Sequence, residues 1–214
     1  MPVQFPRENG HGFRTPRERN MPYIEINTKT DDNVTLRGGY SDSEGHPVED
    51  GIKLDAKAIV EFVKQKEDID QDQVYLLGRS LGGAVGIYAA TLYPKYFRGL
   101  IFENTFTSMG AMVDHLFKFF GFFKYLILRN KWNSIDLVSS IKAPILFITG
   151  DKDELVPYQM TLQLHDNSKD SVLKKIFIVK DGTHNDSWYV GGKSYLEELN
   201  DFLNEAQAFD YHKL

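Results

Sequence analysis

The chain has 214 residues, 42% hydrophobic and 26% charged, the balance of a soluble globular domain long enough to bury a sizeable core. A formal net charge of -5 argues against an electrostatic nucleic-acid binder, which would show a basic face. Without cysteine there is no disulfide, thiolate nucleophile or Cys-ligated metal, which fits a reducing compartment without requiring one.

Residues 1–22 are rich in Pro, Arg, Asn and Gly and are expected to be irregular, with no apolar run of the signal-peptide kind. Tyr23–Thr28 alternates apolar and polar, as a half-buried strand does. Asp31-Asp32-Asn33 reads as a turn, Val34–Leu36 as the start of a second strand, and Gly38–Gly45 as a loop. Between Val48 and Lys66, apolar residues at Ile52, Leu54, Ala58, Ile59, Phe62 and Val63 have helical spacing. Val74–Leu77 is a short apolar run bounded by a turn and a glycine, the pattern of a buried parallel strand. The alternation continues with a helix over Leu81–Leu92 and a strand over Gly99–Phe102. A very apolar helical segment over Met109–Leu128 and a strand over Pro144–Ile148 come next. A helix over Tyr158–His165, a strand over Lys175–Val179 and a helix over Ser194–Ala208 complete it. Such order implies an α/β fold with parallel strands and right-handed crossovers. The most apolar stretch, Leu116–Leu128, is interrupted by Lys118, Gly121 and Lys124 and is shorter than the ~20 residues of a membrane span. The chain as written is therefore expected to have no signal peptide or transmembrane helix, and to be cytoplasmic or membrane-associated.

Gly78-Arg79-Ser80-Leu81-Gly82-Gly83 holds the pattern G-x-S-x-G between an expected strand and an expected helix, the context of a nucleophile elbow. The turn must be sharp enough to expose the Ser80 hydroxyl at the strand's end, and Gly78 and Gly82 are expected to leave room where Cβ atoms would collide. The helix N-terminus then brings the Leu81 N–H and the positive end of the dipole to the reacting carbonyl. The bland alternative is an ordinary glycine-bounded turn.

A serine hydroxyl is a poor nucleophile without a base. His184 lies just after the last expected strand, whereas His11 and His46 are in loops, His115 and His165 in expected helices, and His212 near the tail. The acid should follow its own strand and fall between Ser80 and His184 in chain order. In Gly150-Asp151-Lys152-Asp153-Glu154-Leu155-Val156-Pro157, the proline can open a helix, which leaves Asp153 at the apex of the loop. Asp151 is the second choice, Glu154 reads as a solvated loop acid, and Asp186 is too near His184 in sequence to reach round to Nδ1. No cofactor or metal is implied, because no His/Asp/Glu cluster has ligand spacing.

Five segments together carry a resemblance: Gly39-Tyr-Ser-Asp-Ser-Glu-Gly45, Leu77-Gly-Arg-Ser-Leu-Gly-Gly-Ala-Val85, Glu103-Asn-Thr-Phe-Thr-Ser108, the Gly150–Pro157 loop and Asp181-Gly-Thr-His-Asn-Asp186. From residue 37 to about 206 the chain resembles the α/β-hydrolase superfamily, and within it the abhydrolase-domain, Bem-forty-six-like branch, akin to palmitoyl-protein hydrolases and other acyl esterases. The resemblance implies a mostly parallel sheet flanked by helices, a triad of Ser80, Asp153 and His184, and a small-molecule or lipidated acyl-ester substrate. It also implies a membrane surface as a partner, and no nucleic acid. An aromatic cap would fall in 108–132, within a domain over 23–208 followed by a tail at 209–214. Phe106, Phe119, Phe120 and Phe123 are the pocket residues it suggests. Core packing of a single helix is the plainer reading of Phe117, Phe119, Phe120, Phe122, Phe123 and Tyr125.

The sequence departs from the family between Leu36 and Gly39. The second oxyanion donor belongs to a loop after an early strand, often His-Gly followed by small residues. The only His-Gly pair here, in Gly10-His11-Gly12, precedes every expected strand. Val34-Thr-Leu-Arg-Gly38 runs directly into the Gly39–Gly45 segment, as if two central strands and the oxyanion loop were missing near 37–39, truncating the N-terminal half of the fold. The strand ending at Leu77 would then expose an apolar edge, and a missing oxyanion donor costs about 100- to 1,000-fold in rate. The expected function is ester or thioester hydrolysis through an acyl-serine. A catalytically impaired binding or regulatory protein is the alternative. A serine peptidase ranks below both, since no substrate-gating domain is recognised.

Overall fold

The computed structural model describes residues 27–29, 35–37, 48–116 and 130–209. Strands β1 (Asn27–Lys29) and β2 (Thr35–Arg37) pair antiparallel as a sheet of their own, with Thr28 opposite Leu36. The main sheet is parallel, in the order β3 (Tyr75–Arg79), β4 (Gly99–Glu103), β5 (Ile145–Gly150) and β6 (Lys174–Val179). The register sets Leu76 beside Leu100, Ile101 beside Leu146, and Ile148 beside Phe177.

Alternation along the strands divides the core between two faces. Leu100, Phe102, Ile145 and Phe147 point into one cluster with Val60, Ile87, Ala90, Val138 and Leu164. Those partners come from α1 (Glu49–Lys64), α2 (Leu81–Leu92), α4 (Ser134–Val138) and α5 (Tyr158–Asn167). Ile101, Leu146 and Ile148 point the other way, against Tyr195, Phe202 and Ala206 of α6 (Ser187–Ala208). The continuous apolar runs of β4 and β5 are thus covered on both sides, as parallel strands require. Each of their fully buried side chains contributes about 1.5–3 kcal/mol. Helix α1 shows the amphipathic logic at its simplest. Ile52, Ala56 and Val60 recur every four residues on its buried stripe, Glu49 and Asp50 open it, and Lys64 closes it, complementing the dipole.

Several details differ from the sequence reading. Among the described residues β3 is an edge strand rather than a buried one, and Leu77 is 59% exposed. An edge here matches the expectation that central neighbours are missing near 37–39, and β1 and β2 form a separate sheet that does not pair with β3. Helix α6 consists of two helical stretches joined at a kink, where Gly192 is non-helical (φ 49°, ψ -123°). The second matches the helix expected from Ser194, and the first, from Ser187, has no counterpart in the sequence reading. The short α4 has no sequence counterpart above. Of the apolar segment Met109–Leu128, α3 (Met109–Leu116) is described and 117–129 lies outside the described residues. The ends of this excursion meet: the Met109 N–H donates to the Lys131 carbonyl, and the Ile135 N–H to that of Thr107.

Candidate active site

Strand β3 ends at Arg79, and α2 begins at Leu81. Ser80 between them has φ 54° and ψ -122°, a left-handed conformation rarely held by a residue with a side chain. Its neighbours hold that strain. The Ser80 N–H donates to the Glu103 carbonyl at 2.9 Å, and the Ser80 carbonyl accepts from the Gly83 N–H and the Thr105 hydroxyl. The hydroxyl of Ser80 makes no cap bond to its own helix. A Cβ on Gly78 would lie 2.4 Å from the Gly82 carbonyl oxygen, so the elbow admits only glycine there. A Cβ on Gly82 would meet nothing within 4 Å, which corrects the expectation that Gly82 avoids a collision. The second crowded position is Gly83, whose Cβ would lie 2.4 Å from the Thr105 hydroxyl oxygen.

The loop after β5 carries Asp153, whose side chain is fully buried. One carboxylate oxygen accepts from the Leu155 N–H at 2.9 Å and the Val156 N–H at 2.8 Å, and the other meets His184 Nδ1 at 2.8 Å. His184 itself lies after β6, with its side chain 14% exposed. A carboxylate accepts from Nδ1–H, so this pairing fixes the ring orientation and leaves Nε2 as the basic nitrogen. The competing acids are engaged elsewhere. Asp151 accepts from the Asp181 N–H, tying the acid loop to the histidine loop, and Asp186 accepts from the Thr183 N–H. Glu154 is exposed. His165 sits beside Asp166 on α5, and His115 closes α3. His11, His46 and His212 lie outside the described residues.

Phe106, expected in a substrate pocket, is a core residue, 3% exposed and packed with Met112, Trp132 and Val156. Phe119, Phe120 and Phe123 lie outside the described residues. Two residues that the sequence reading gave no role stand at the end of β4. Glu103 is buried and accepts from the Tyr195 hydroxyl at 2.9 Å. Burial pushes its carboxyl above the ordinary value, against the pull of that bond and of the Arg79 and His184 charges. Asn104 is fully buried with φ 46°, and its carboxamide bonds to both the acid and histidine loops. Their sequence signal was limited to membership of the Glu103–Ser108 segment.

A parallel sheet with a strained serine after one strand, an acid loop after another and a histidine loop after a third defines the α/β-hydrolase class. Residues 46–206 match the model of the prolyl oligopeptidase family, and the chain belongs to that family as a Bem46-like abhydrolase-domain protein. It is 35% identical over 179 residues to the alpha/beta hydrolase domain-containing protein WAV2 of Arabidopsis thaliana, covering 78% of this chain and 58% of that protein. It thus spans under two thirds of that relative's length. Protein bem46 of Schizosaccharomyces pombe is 28% identical over 254 residues, covering 95% of this chain and 84% of that protein. Since 95% of 214 residues is about 203, about 50 of those 254 aligned positions have no residue of this chain. Among solved structures, the Pyrococcus furiosus esterase Pf2001 superposes with a TM-score of 0.73 at 18% identity, covering 92% of this chain and 95% of that one, a likeness of fold. Among the described residues, no helix is long and apolar enough to cross a membrane.

Proposed function

We propose that the protein is a serine hydrolase acting on carboxylic esters or thioesters through an acyl-serine intermediate. Ser80 Oγ attacks the acyl carbonyl while His184 Nε2 takes its proton. The Leu81 N–H, at the positive end of α2, stabilises the oxyanion. The tetrahedral adduct collapses, the carbon–oxygen or carbon–sulfur bond breaks, and His184 returns the proton to the leaving alcohol or thiol. Water then attacks the acyl-serine by the same route and releases the acid. Asp153 keeps the His184 ring in the required tautomer throughout. The reaction so written uses no cofactor or metal.

One observation carries this reading: Asp153 and His184, 31 residues apart, meet at 2.8 Å at the end of the sheet where the strained Ser80 closes β3. Apolar acyl chains, including lipid-like ones, are the proposed substrates, supported by the aromatic run in 117–125. The test is labelling by a fluorophosphonate probe. The wild-type protein is expected to label at Ser80, Ser80→Ala not at all, and His184→Ala far more slowly, since the two act as a unit. A folded wild-type sample that stays unlabelled would end the proposal. It would favour a binding or regulatory role, which the apolar edge of β3 at Leu77 supports. Peptide-bond cleavage is a further reading, supported by the family's description. Faster turnover of a chromogenic peptide than of an acyl ester would favour it.

A further inference from the structure

We propose that Asn104 is a positioning residue that holds the acid and histidine loops in register above Ser80. This rests on the reading of Ser80, Asp153 and His184 as a triad. Asn104 follows β4, the strand between the one that ends in Ser80 and the one that leads to Asp153. Its backbone N–H donates to the Ile148 carbonyl at 2.9 Å. Its carboxamide oxygen accepts from the Gly150 N–H at 3.0 Å, where the acid loop leaves β5. Its carboxamide nitrogen faces the carbonyls of His184 at 3.0 Å and Thr183 at 3.2 Å, and the Ser187 hydroxyl at 3.1 Å. Ser187 in turn donates to the Thr183 carbonyl. One fully buried side chain thus joins three stretches of chain far apart in sequence.

The chemistry at this point calls for a carboxamide. The oxygen must accept from an N–H, and the nitrogen must donate toward two carbonyl oxygens. The opposite amide orientation would set oxygen against oxygen and N–H against N–H, so the network fixes it. Aspartate has the same size, but it would direct an acceptor at the Thr183 and His184 carbonyls. The backbone adds a second constraint. At φ 46° asparagine is among the few side chains tolerated, and glycine fits without strain. The next residue, Thr105, holds the Ser80 carbonyl, so the same turn also reaches the nucleophile.

Two variants separate the carboxamide from the backbone. Asn104→Asp keeps the size and reverses the donor, and Asn104→Gly keeps the backbone conformation and removes the side chain. Fluorophosphonate labelling and acyl-ester turnover are measured well below the melting temperature, with the downfield NMR signal of the His184 Nδ1 proton. Both variants are expected to lose about 100-fold in kcat with KM nearly unchanged, the scale of a 1 Å misplacement. They are also expected to lose or broaden the proton signal. A residue needed only for stability would lower melting and leave kcat and the signal alone. If Asn104→Asp fails to melt cooperatively, Asn104→Gly carries the test. Wild-type labelling rates, kcat and proton signal in a cooperatively folded Asn104→Gly would overturn the proposal. An unlabelled wild type would overturn the Ser80 reading instead, while the proton signal still reports whether Asn104 holds His184.

Discussion

Asp153→Asn separates catalysis from stability most sharply. An asparagine at this site has two orientations. With its oxygen toward His184, its NH2 would confront the Leu155 and Val156 N–H groups, forfeiting two bonds of 2.9 and 2.8 Å. With its oxygen toward those N–H groups, both bonds survive and the NH2 faces His184 Nδ1. The second orientation sacrifices less, and it forces the imidazole to accept at Nδ1 and carry its proton on Nε2. That is the wrong tautomer for a base acting on Ser80. In serine hydrolases of the Ser-His-Asp type this inversion lowers kcat by about 10⁴, or about 5.4 kcal/mol at 1.36 kcal/mol per factor of ten.

The stability change should be much smaller. The two retained bonds pass from a charged to a neutral acceptor, a loss of about 1–3 kcal/mol in total, or roughly 2–12 °C in melting temperature for a chain of this size. The assay is hydrolysis of a chromogenic acyl ester, run beside thermal melting. Asp151→Asn is the control. It keeps the oxygen that accepts from the Asp181 N–H and should change the rate by no more than about threefold, the scale of ordinary surface substitutions. Asp153→Asn turning over within tenfold of wild type would refute the reasoning. So would an Asp151→Asn rate below that of Asp153→Asn.

Three further outcomes follow from the same geometry. Gly78→Ala should open the elbow, because its Cβ would sit 2.4 Å from a backbone oxygen. A loss of at least about 1–3 kcal/mol and of Ser80 labelling is expected, while Gly82→Ala, with open space, should leave labelling intact. Glu103→Gln should alter the pH dependence of stability. Burial raises the Glu103 carboxyl above its ordinary 4.5, so below that pH both states are protonated and nothing is lost. As pH rises past 4.5 the unfolded chain ionises first and wild-type stability falls until the folded carboxyl ionises too. The glutamine variant should therefore gain on wild type across that window, and a constant difference in urea unfolding from pH 4 to 8 would contradict this. Finally, a family-like strand–loop–strand segment inserted between Leu36 and Gly39 should raise both melting temperature and ester turnover, the latter by up to about 100- to 1,000-fold if an oxyanion donor returns. Equal melting and equal turnover would show the short form to be complete.

The α/β alternation and the three site-bearing loops were legible because each depends on local signals. These are an apolar run, then a glycine-rich turn, an acidic loop or a histidine before a helix. The place of Asp153 at the apex of the Gly150–Pro157 loop put it ahead of Asp151, and Asp153 is the carboxylate that meets His184 Nδ1, at 2.8 Å. Asn104 was not legible, since its partners lie 46 to 83 residues away and become neighbours only when β4 and β5 pair. Glu103 reads as a polar end to a strand until Tyr195 of α6 is packed against it. The crowding at Gly83 has no local signal, because it comes from Thr105, which follows the neighbouring strand β4. The short helical stretch that opens α6 at Ser187 was hidden because Gly192 breaks the helix there, and the expected helix from Ser194 is the part beyond that kink. Val74–Leu77 reads as buried from composition alone, which cannot tell a central strand from one that is an edge among the described residues.

The exposed edge and the Asp153–His184 pairing coexist for a structural reason. The contacts that position the site run from β3 toward β4, β5 and β6. Ser80 is held by Glu103 and Thr105, Gly150 by Asn104, Lys152 by the Gly182 carbonyl, and the histidine loop by Asn104 and Asp151. None of these contacts reaches across the far side of β3. The loops that bring acid to base therefore rest on β4 and β5, whose side chains are buried on both faces. The strands and oxyanion loop expected to be missing near 37–39 would take with them apolar cover for Leu77 and, in the proposed mechanism, a second oxyanion donor. Their loss would not remove what aligns Asp153 with His184. The two losses would act on different quantities: a bare edge lowers folding stability, and a missing donor lowers transition-state binding. A chain of this design should accordingly keep its serine addressable by a reactive phosphonate while turning over esters slowly, so that labelling and turnover report on separate halves of the fold.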